Sequence, residues 1–155
     1  MKEIEYKYLV KDYSWKQGAI LSKSKLKQGY ISSKAGKVVR VRISDSDAWI
    51  TIKGPTKGIT RDEYEYQIPF TDGKEMLTKL VEGSVVSKTR YVVMYGGKQW
   101  EIDVFDGANK GLVTAELELS SEKEKFLLPP WLGVNVSDCR KYSNSNLAKK
   151  PFKSW

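Results

Sequence analysis

Residues 3 to 7 read Glu3-Ile4-Glu5-Tyr6-Lys7, followed by Tyr8: three charges at a spacing of two, with bulky apolar or aromatic residues between them. In an extended strand successive side chains point to opposite faces, so the three charges share one face and Ile4, Tyr6 and Tyr8 the other. The alternation recurs. Arg40 and Arg42 flank Val41; Lys53 follows Ile52; Arg61, Glu63 and Glu65 alternate with Asp62, Tyr64 and Tyr66. Lys88 and Arg90 bracket Thr89, Glu101 and Asp103 bracket Ile102, and Glu116 and Glu118 bracket Leu117. A solvated sheet laced with cross-strand salt bridges would mix signs freely within a strand. Most of these motifs hold a single sign, which sets like charges side by side and costs stability unless a ligand offsets it.

At 155 residues the chain suits one domain spanning 1–155. Its 27 Lys and Arg against 19 Asp and Glu leave +8, which favours a polyanionic partner: phosphate compounds, nucleic acid or an anionic membrane. Histidine is absent, which excludes His-based metal sites and Ser-His-Asp or Cys-His catalysis. Acid–base work must fall to carboxylates, Lys, Tyr or metal-bound water. Cys139 is the single cysteine, so an intrachain disulfide and a thiolate zinc cluster are excluded, and Cys139 itself reads as structural or incidental. The N-terminus has no signal-peptide pattern and no apolar run approaches transmembrane length, so a cytoplasmic protein with no membrane partner is expected.

Strand patterns cover 2–10, 24–33, 37–44, 48–53, 59–69, 85–95, 98–105 and 112–119, with hairpins about Asp45-Ser46-Asp47 and Gly96-Gly97. A weakly helical stretch spans 13–21, and a helix is predicted over about 73–82, capped by Thr71 or Asp72, with Met76, Leu77, Leu80 and Val81 as its core stripe. Pro129-Pro130 should start a short helical turn, and the segment from Asp138 to Pro151 is helical or loop-like. The expected fold is mainly β, of α+β type, with a few short helices packed outside an antiparallel sheet. Closed into a barrel, eight such strands leave room for one small ligand, and the charged face would line the lumen.

Burying either charge set alone would be prohibitive; both together are tolerable only if they pair or bind ions. Glu-x-Glu on two strands suits Mg²⁺ or Mn²⁺, hard cations that take oxygen ligands and keep water alongside substrate phosphate. Arg-x-Arg and Lys-x-Arg suit phosphate oxygens, which the guanidinium fork binds bidentately. Together these are the components of phosphoryl transfer from a polyphosphate.

In this order, E-I-E-Y-K (3–7), Q-G-Y (28–30), R-V-R (40–42), T-I-K-G (51–54), R-D-E-Y-E (61–65), K-T-R-Y (88–91), E-I-D-V-F (101–105), A-E-L-E-L (115–119) and Y-S-N-S-N-L-A (142–148) resemble the CYTH superfamily, the triphosphate tunnel metalloenzymes. The resemblance covers essentially the whole chain. It implies an eight-stranded antiparallel β-barrel tunnel that binds a linear triphosphate. It further implies that Lys7, Arg40, Arg42, Lys53, Lys88 and Arg90 grip the phosphates and that Arg140 and Lys141 close one mouth. Glu3, Glu5, Glu116 and Glu118 would hold Mg²⁺ or Mn²⁺, with Asp103 and Glu63 contributing, and Lys7, Glu5 and Glu116 would be catalytic. Family members hydrolyse triphosphates or, in the class IV adenylyl cyclases, cyclise ATP.

Hydrolysis is the expectation, because no base-recognition motif is evident and most charged positions are spent on phosphate and metal. Inorganic triphosphate is the expected substrate, with nucleoside and thiamine triphosphate as alternatives. Trp49, Tyr30 and Tyr142 each read either as packing residues or as contacts to substrate. An adenylyl cyclase, and a non-catalytic module binding polyphosphate or RNA, are the competing readings. Nucleic acid is the poorer partner, because most aromatics alternate onto the apolar face instead of offering bases a stacking surface. A homodimer stays open.

Overall fold

The computed structural model describes residues 1–155 and carries nine strands: β1 (Lys2–Val10), β2 (Ala19–Ser32), β3 (Val38–Ile43), β4 (Ala48–Lys53), β5 (Thr60–Ile68), β6 (Glu82–Tyr95), β7 (Lys98–Phe105), β8 (Val113–Glu118) and β9 (Leu132–Asn135). Every pairing is antiparallel, and the order β5-β4-β3-β2-β6-β7-β8-β1 closes on itself through β1 and β5. Closure takes three pairs, Lys2↔Asp62, Glu3↔Arg61 and Ile4↔Thr60. Farther along, β1 pairs with β9 at Tyr8↔Asn135 and Val10↔Leu132. The result is the expected closed eight-stranded barrel, with a ninth strand laid along its seam.

Several boundaries differ from the sequence pattern. β2 starts at Ala19, because β6 extends far enough to pair Ala19 with Met94, and the helical stretch before it shrinks to one 3₁₀ turn, Ser14–Gln17. That turn inserts Trp15, fully buried, against Tyr91 at 4.9 Å between ring centroids. The first helix, α1 (Phe70–Lys79), begins three residues earlier than predicted, with Pro69 as its extended N-cap and no side-chain capping bond; Asp72 instead sits in its first turn, where a negative charge suits the helix dipole. Leu77 packs inward, but Leu80 is exposed. In place of a helical turn after Pro130, Trp131 enters the core and Leu132–Asn135 runs as β9. The second helix, α2 (Asn144–Lys149), is short and capped by Ser143, whose side chain accepts from the Asn146 N–H. No helix is long and apolar enough to cross a membrane.

The larger apolar core lies outside the barrel. Outward side chains Tyr8, Val93, Trp100, Ile102, Ala115, Leu117 and Leu119 pack with Trp15 and Trp131. A second cluster plugs one end of the barrel: Tyr30, Val38, Val86 and Phe105 meet Leu112 and, from α2, Leu147 and Ala148. Gly83 makes this plug possible, since its φ of +72° is left-handed and a Cβ there would fall 2.6 Å from the Ala148 carbonyl. With apolar groups spent on the outside and at one end, the lumen is left to charge.

Candidate active site

The inward faces of the barrel, the β2–β3 and β4–β5 loops and residues 136–149 enclose a cavity of about 910 Å³. Six of its 32 lining residues are hydrophobic, the reverse of an ordinary small-molecule pocket. Eight cationic side chains line it (Lys7, Arg40, Arg42, Lys53, Arg61, Arg90, Arg140, Lys149), as do eight acidic ones (Glu3, Glu5, Glu63, Glu65, Glu101, Glu116, Glu118, Asp138). The cavity is therefore formally balanced, and the +8 surplus of the chain sits on its outer surface. Net charge alone pointed to a polyanion for a reason that does not belong to this site.

Register explains which charges meet. Lys53 lies opposite Glu63 and bonds it at 3.2 Å, while reaching Glu3 at 2.8 Å across the closure. Lys7 lies opposite Glu116 and approaches it to 3.6 Å, also donating to the Tyr142 carbonyl. Arg40 donates to the Thr51 hydroxyl and to Glu65. Arg90 spends four of its five N–H donors on carboxylates, two on Asp103, one on Glu101 and one at 2.9 Å on Glu116, which leaves one N–H of Nη1 free. Burial opposes the ionisation of Glu116, yet Lys7, a bond from Glu5, Arg90 and Lys88 hold it well below the usual carboxylate range.

Seven charged lining groups stand outside this pairing: Asp138, Arg61 and Lys149 toward the rim, and four that bear on the chemistry, Glu5, Glu118, Arg42 and Arg140. Glu5 and Glu118 face each other across β1 and β8, and neither has a cationic partner within 4.0 Å. Burial, Glu116 and Glu3 push Glu5 well above its ordinary range; burial, Glu3 and Glu101 raise Glu118. Arg42 and Arg140 face no carboxylate at ion-pair distance. Burial with Arg40 and Arg90 nearby brings Arg42 down to about 10, so it stays charged at neutral pH. Unneutralised acid and unneutralised guanidinium thus coexist in one lumen. No three acidic side chains already converge on a common metal-sized point. The donors nonetheless suit a hard divalent cation, being carboxylate oxygens only, with two of them lacking a counter-charge.

Glu3, Glu5, Lys7, Arg40, Arg42, Lys53, Glu63, Arg90, Glu116, Glu118 and Arg140 all line the cavity. Lys88, Asp103 and Lys141 do not. Lys88 and Asp103 are buried behind the wall, 2.6 Å apart, with Lys88 also donating to Asn144; burial lowers Lys88 to about 7 against the attraction of Asp103. Lys141 sits 4.0 Å above the Trp155 ring. Trp49 lies outside the lining, Tyr142 offers only its backbone carbonyl, and Tyr30 is the one aromatic that borders the cavity. The charge census missed Gln28, Thr51 and Asn144, which are neutral yet bond Arg42, Arg40 and Lys88. Their inward parity was the available signal for Gln28 and Thr51. Arg61 spends its guanidinium on the carbonyls of Gly54 and Gly36, tying two rim loops together.

Comparison with known proteins gives one consistent picture. An inorganic triphosphatase of Acetivibrio thermocellus is 43% identical over 155 residues, covering 99% of this chain and 97% of that protein. An inorganic triphosphatase of Nitrosomonas europaea is 36% identical over 152 residues, covering 96% and 97%. A crystal structure of an inorganic triphosphatase superposes with a TM-score of 0.67 at 35% identity, over 94% of this chain and 93% of that one. The CYTH domain model matches residues 1–149, and the chain belongs to the CYTH family.

Proposed function

We propose that this chain hydrolyses inorganic triphosphate to diphosphate and phosphate with the aid of a divalent metal ion, Mg²⁺ or Mn²⁺. The observation that carries the reading is the lumen: ionic on nearly every wall, balanced overall, yet holding unneutralised acids and unneutralised arginines side by side. Two relatives that span almost the whole chain are inorganic triphosphatases. A single bordering aromatic, Tyr30, leaves no sandwich for a nucleobase, which favours the inorganic substrate over nucleotides.

Glu3, Glu5, Glu116 and Glu118 would hold the metal, with Glu63 at the margin of the set. When bound, such an ion neutralises phosphate charge and lowers the pKa of a coordinated water. Lys7, Arg40, Arg42, Lys53 and Arg90 hold the phosphate oxygens, and Arg140 guards the rim. Lys88 and Asp103 serve this grip from behind by fixing Arg90. The water oxygen bonds to a terminal phosphorus while the bond from that phosphorus to the bridging oxygen breaks. The bridging oxygen keeps the electron pair and leaves with diphosphate, and the Glu5 carboxylate, which would be ionised when the divalent ion is bound, would accept the proton of the water.

Phosphate release from inorganic triphosphate, measured with Mg²⁺ and with Mn²⁺, is the test. Arg42→Ala and Glu116→Gln should each reduce kcat/KM at least about 100-fold, corresponding to the loss of one strong ionic contact in a dry site. Full activity in both variants ends this assignment, and cyclic AMP with diphosphate formed from ATP would replace hydrolysis by cyclisation. Within the opening motif, Lys7→Ala should weaken triphosphate binding and Glu5→Gln should weaken metal binding; identical defects would abolish that division of labour.

A further inference from the structure

Gln28 is fully buried and does not border the cavity, yet it connects two side chains that do. Its Oε1 accepts from Arg42 Nε at 2.9 Å, and its Nε2 donates to the Tyr30 hydroxyl oxygen at 3.1 Å. Arg42 lies directly across from it in the β2–β3 register, and Tyr30 is two residues along the same strand.

The direction of this chain of bonds is forced. A guanidinium can only donate, so the Gln28 oxygen must face Arg42 and the amide nitrogen must face Tyr30. The nitrogen can only donate, so the Tyr30 oxygen must accept. The hydroxyl proton of Tyr30 is then free, and no protein acceptor takes it. Resting on the triphosphatase reading, we infer that Gln28 is a positioning residue that holds Arg42 by a neutral anchor and turns the Tyr30 hydroxyl into a donor to the substrate phosphate.

Neutrality is the point of the device. Arg90 is fixed by carboxylates, and Arg40 in part, which stiffens a guanidinium but cancels its charge toward an anion. An amide oxygen fixes Arg42 through Nε alone, leaves both terminal nitrogens for phosphate, and cancels nothing. The Tyr30 hydroxyl adds an uncharged donor to the cavity that Lys7, Arg42 and Arg61 also line.

The test measures the Kd of inorganic triphosphate by calorimetry in chelator, together with kcat and KM, on the full chain. Gln28→Glu keeps the bond to Arg42 and adds the charge the native residue lacks. It should leave the thermal midpoint level or higher yet raise Kd and KM about tenfold or more, with kcat changed far less. Tyr30→Phe should raise Kd several-fold, the cost of one hydrogen bond to a charged group. Gln28→Leu should raise Kd in the native background and change it by clearly less in Arg42→Ala, where only the Tyr30 arm of the relay remains. Unchanged Kd in Gln28→Glu and Tyr30→Phe overturns the relay, as does an undiminished Gln28→Leu effect without Arg42. If Gln28→Glu fails to fold, the other two variants still decide. A native chain that binds triphosphate without cleaving it overturns the proposed function and leaves the relay to be judged on Kd; one that binds none overturns both.

Discussion

Asp103 sits between Lys88 and Arg90 with no exposure to solvent, and its two oxygens serve both cations. Asp103→Asn would leave two buried cations under-compensated and should cost about 3–5 kcal/mol in urea unfolding. Lys88→Met should cost less, because Arg90 still satisfies Asp103 through two bonds. Strand parity places both residues inward but cannot tell the wall from the layer behind it, since that depends on what stands in front of each side chain. Glu5 presents the opposite case. It is a carboxyl held among other acids, so Glu5→Gln should raise metal-free stability by about 0.5–2 kcal/mol while abolishing most of the stabilisation that the proposed divalent ion would add. Thermal melts with metal and with chelator check this; a less stable metal-free variant contradicts it.

Among the elements, α1 shows where local preference and packing disagree. Alanine exceeds glycine in a helix by about 1 kcal/mol, so propensity favours Gly73→Ala. A Cβ at Gly73, however, would lie 2.6 Å from the Ala48 Cβ and 3.0 Å from Ile43, where α1 rests on β3 and β4. Overpacking of that kind costs about 1–3 kcal/mol, so Gly73→Ala should lower the unfolding midpoint with kcat unchanged in the folded protein. The barrel strands were legible because each repeats the two-residue alternation over six or more positions. β9 has four residues and no alternation to read; its existence depends on a free edge of β1 and on Trp131 entering the core. The early start of β2 has the same origin, a partner strand long enough to recruit residues with no pattern of their own.

For the molecule as a whole, the surplus of positive charge lies outside a balanced cavity. Such a field steers anions toward the mouth without holding them in the site. Raising ionic strength from low to high should therefore lower kcat/KM for inorganic triphosphate by about 3–10-fold while kcat stays nearly constant, as initial-rate series across salt concentrations would reveal. Equal falls in kcat and kcat/KM would place the salt effect on the chemistry instead.

Which face of the sheet each strand residue takes follows from amino-acid order alone, because the Cβ alternates every residue whatever the strand pairs with. The same alternation, combined with strand count, leads to a barrel lined by charge and wrapped in apolar side chains. Which charges neutralise one another is decided only by tertiary structure. Lys53 meets Glu3 across fifty positions of sequence, Lys7 meets Glu116 across the β1–β8 register, and Arg42 meets an amide instead of an acid. An ion pair is a short-range event whose partners are set by register and closure, so the unpaired groups that mark the chemistry emerge only once the barrel has closed.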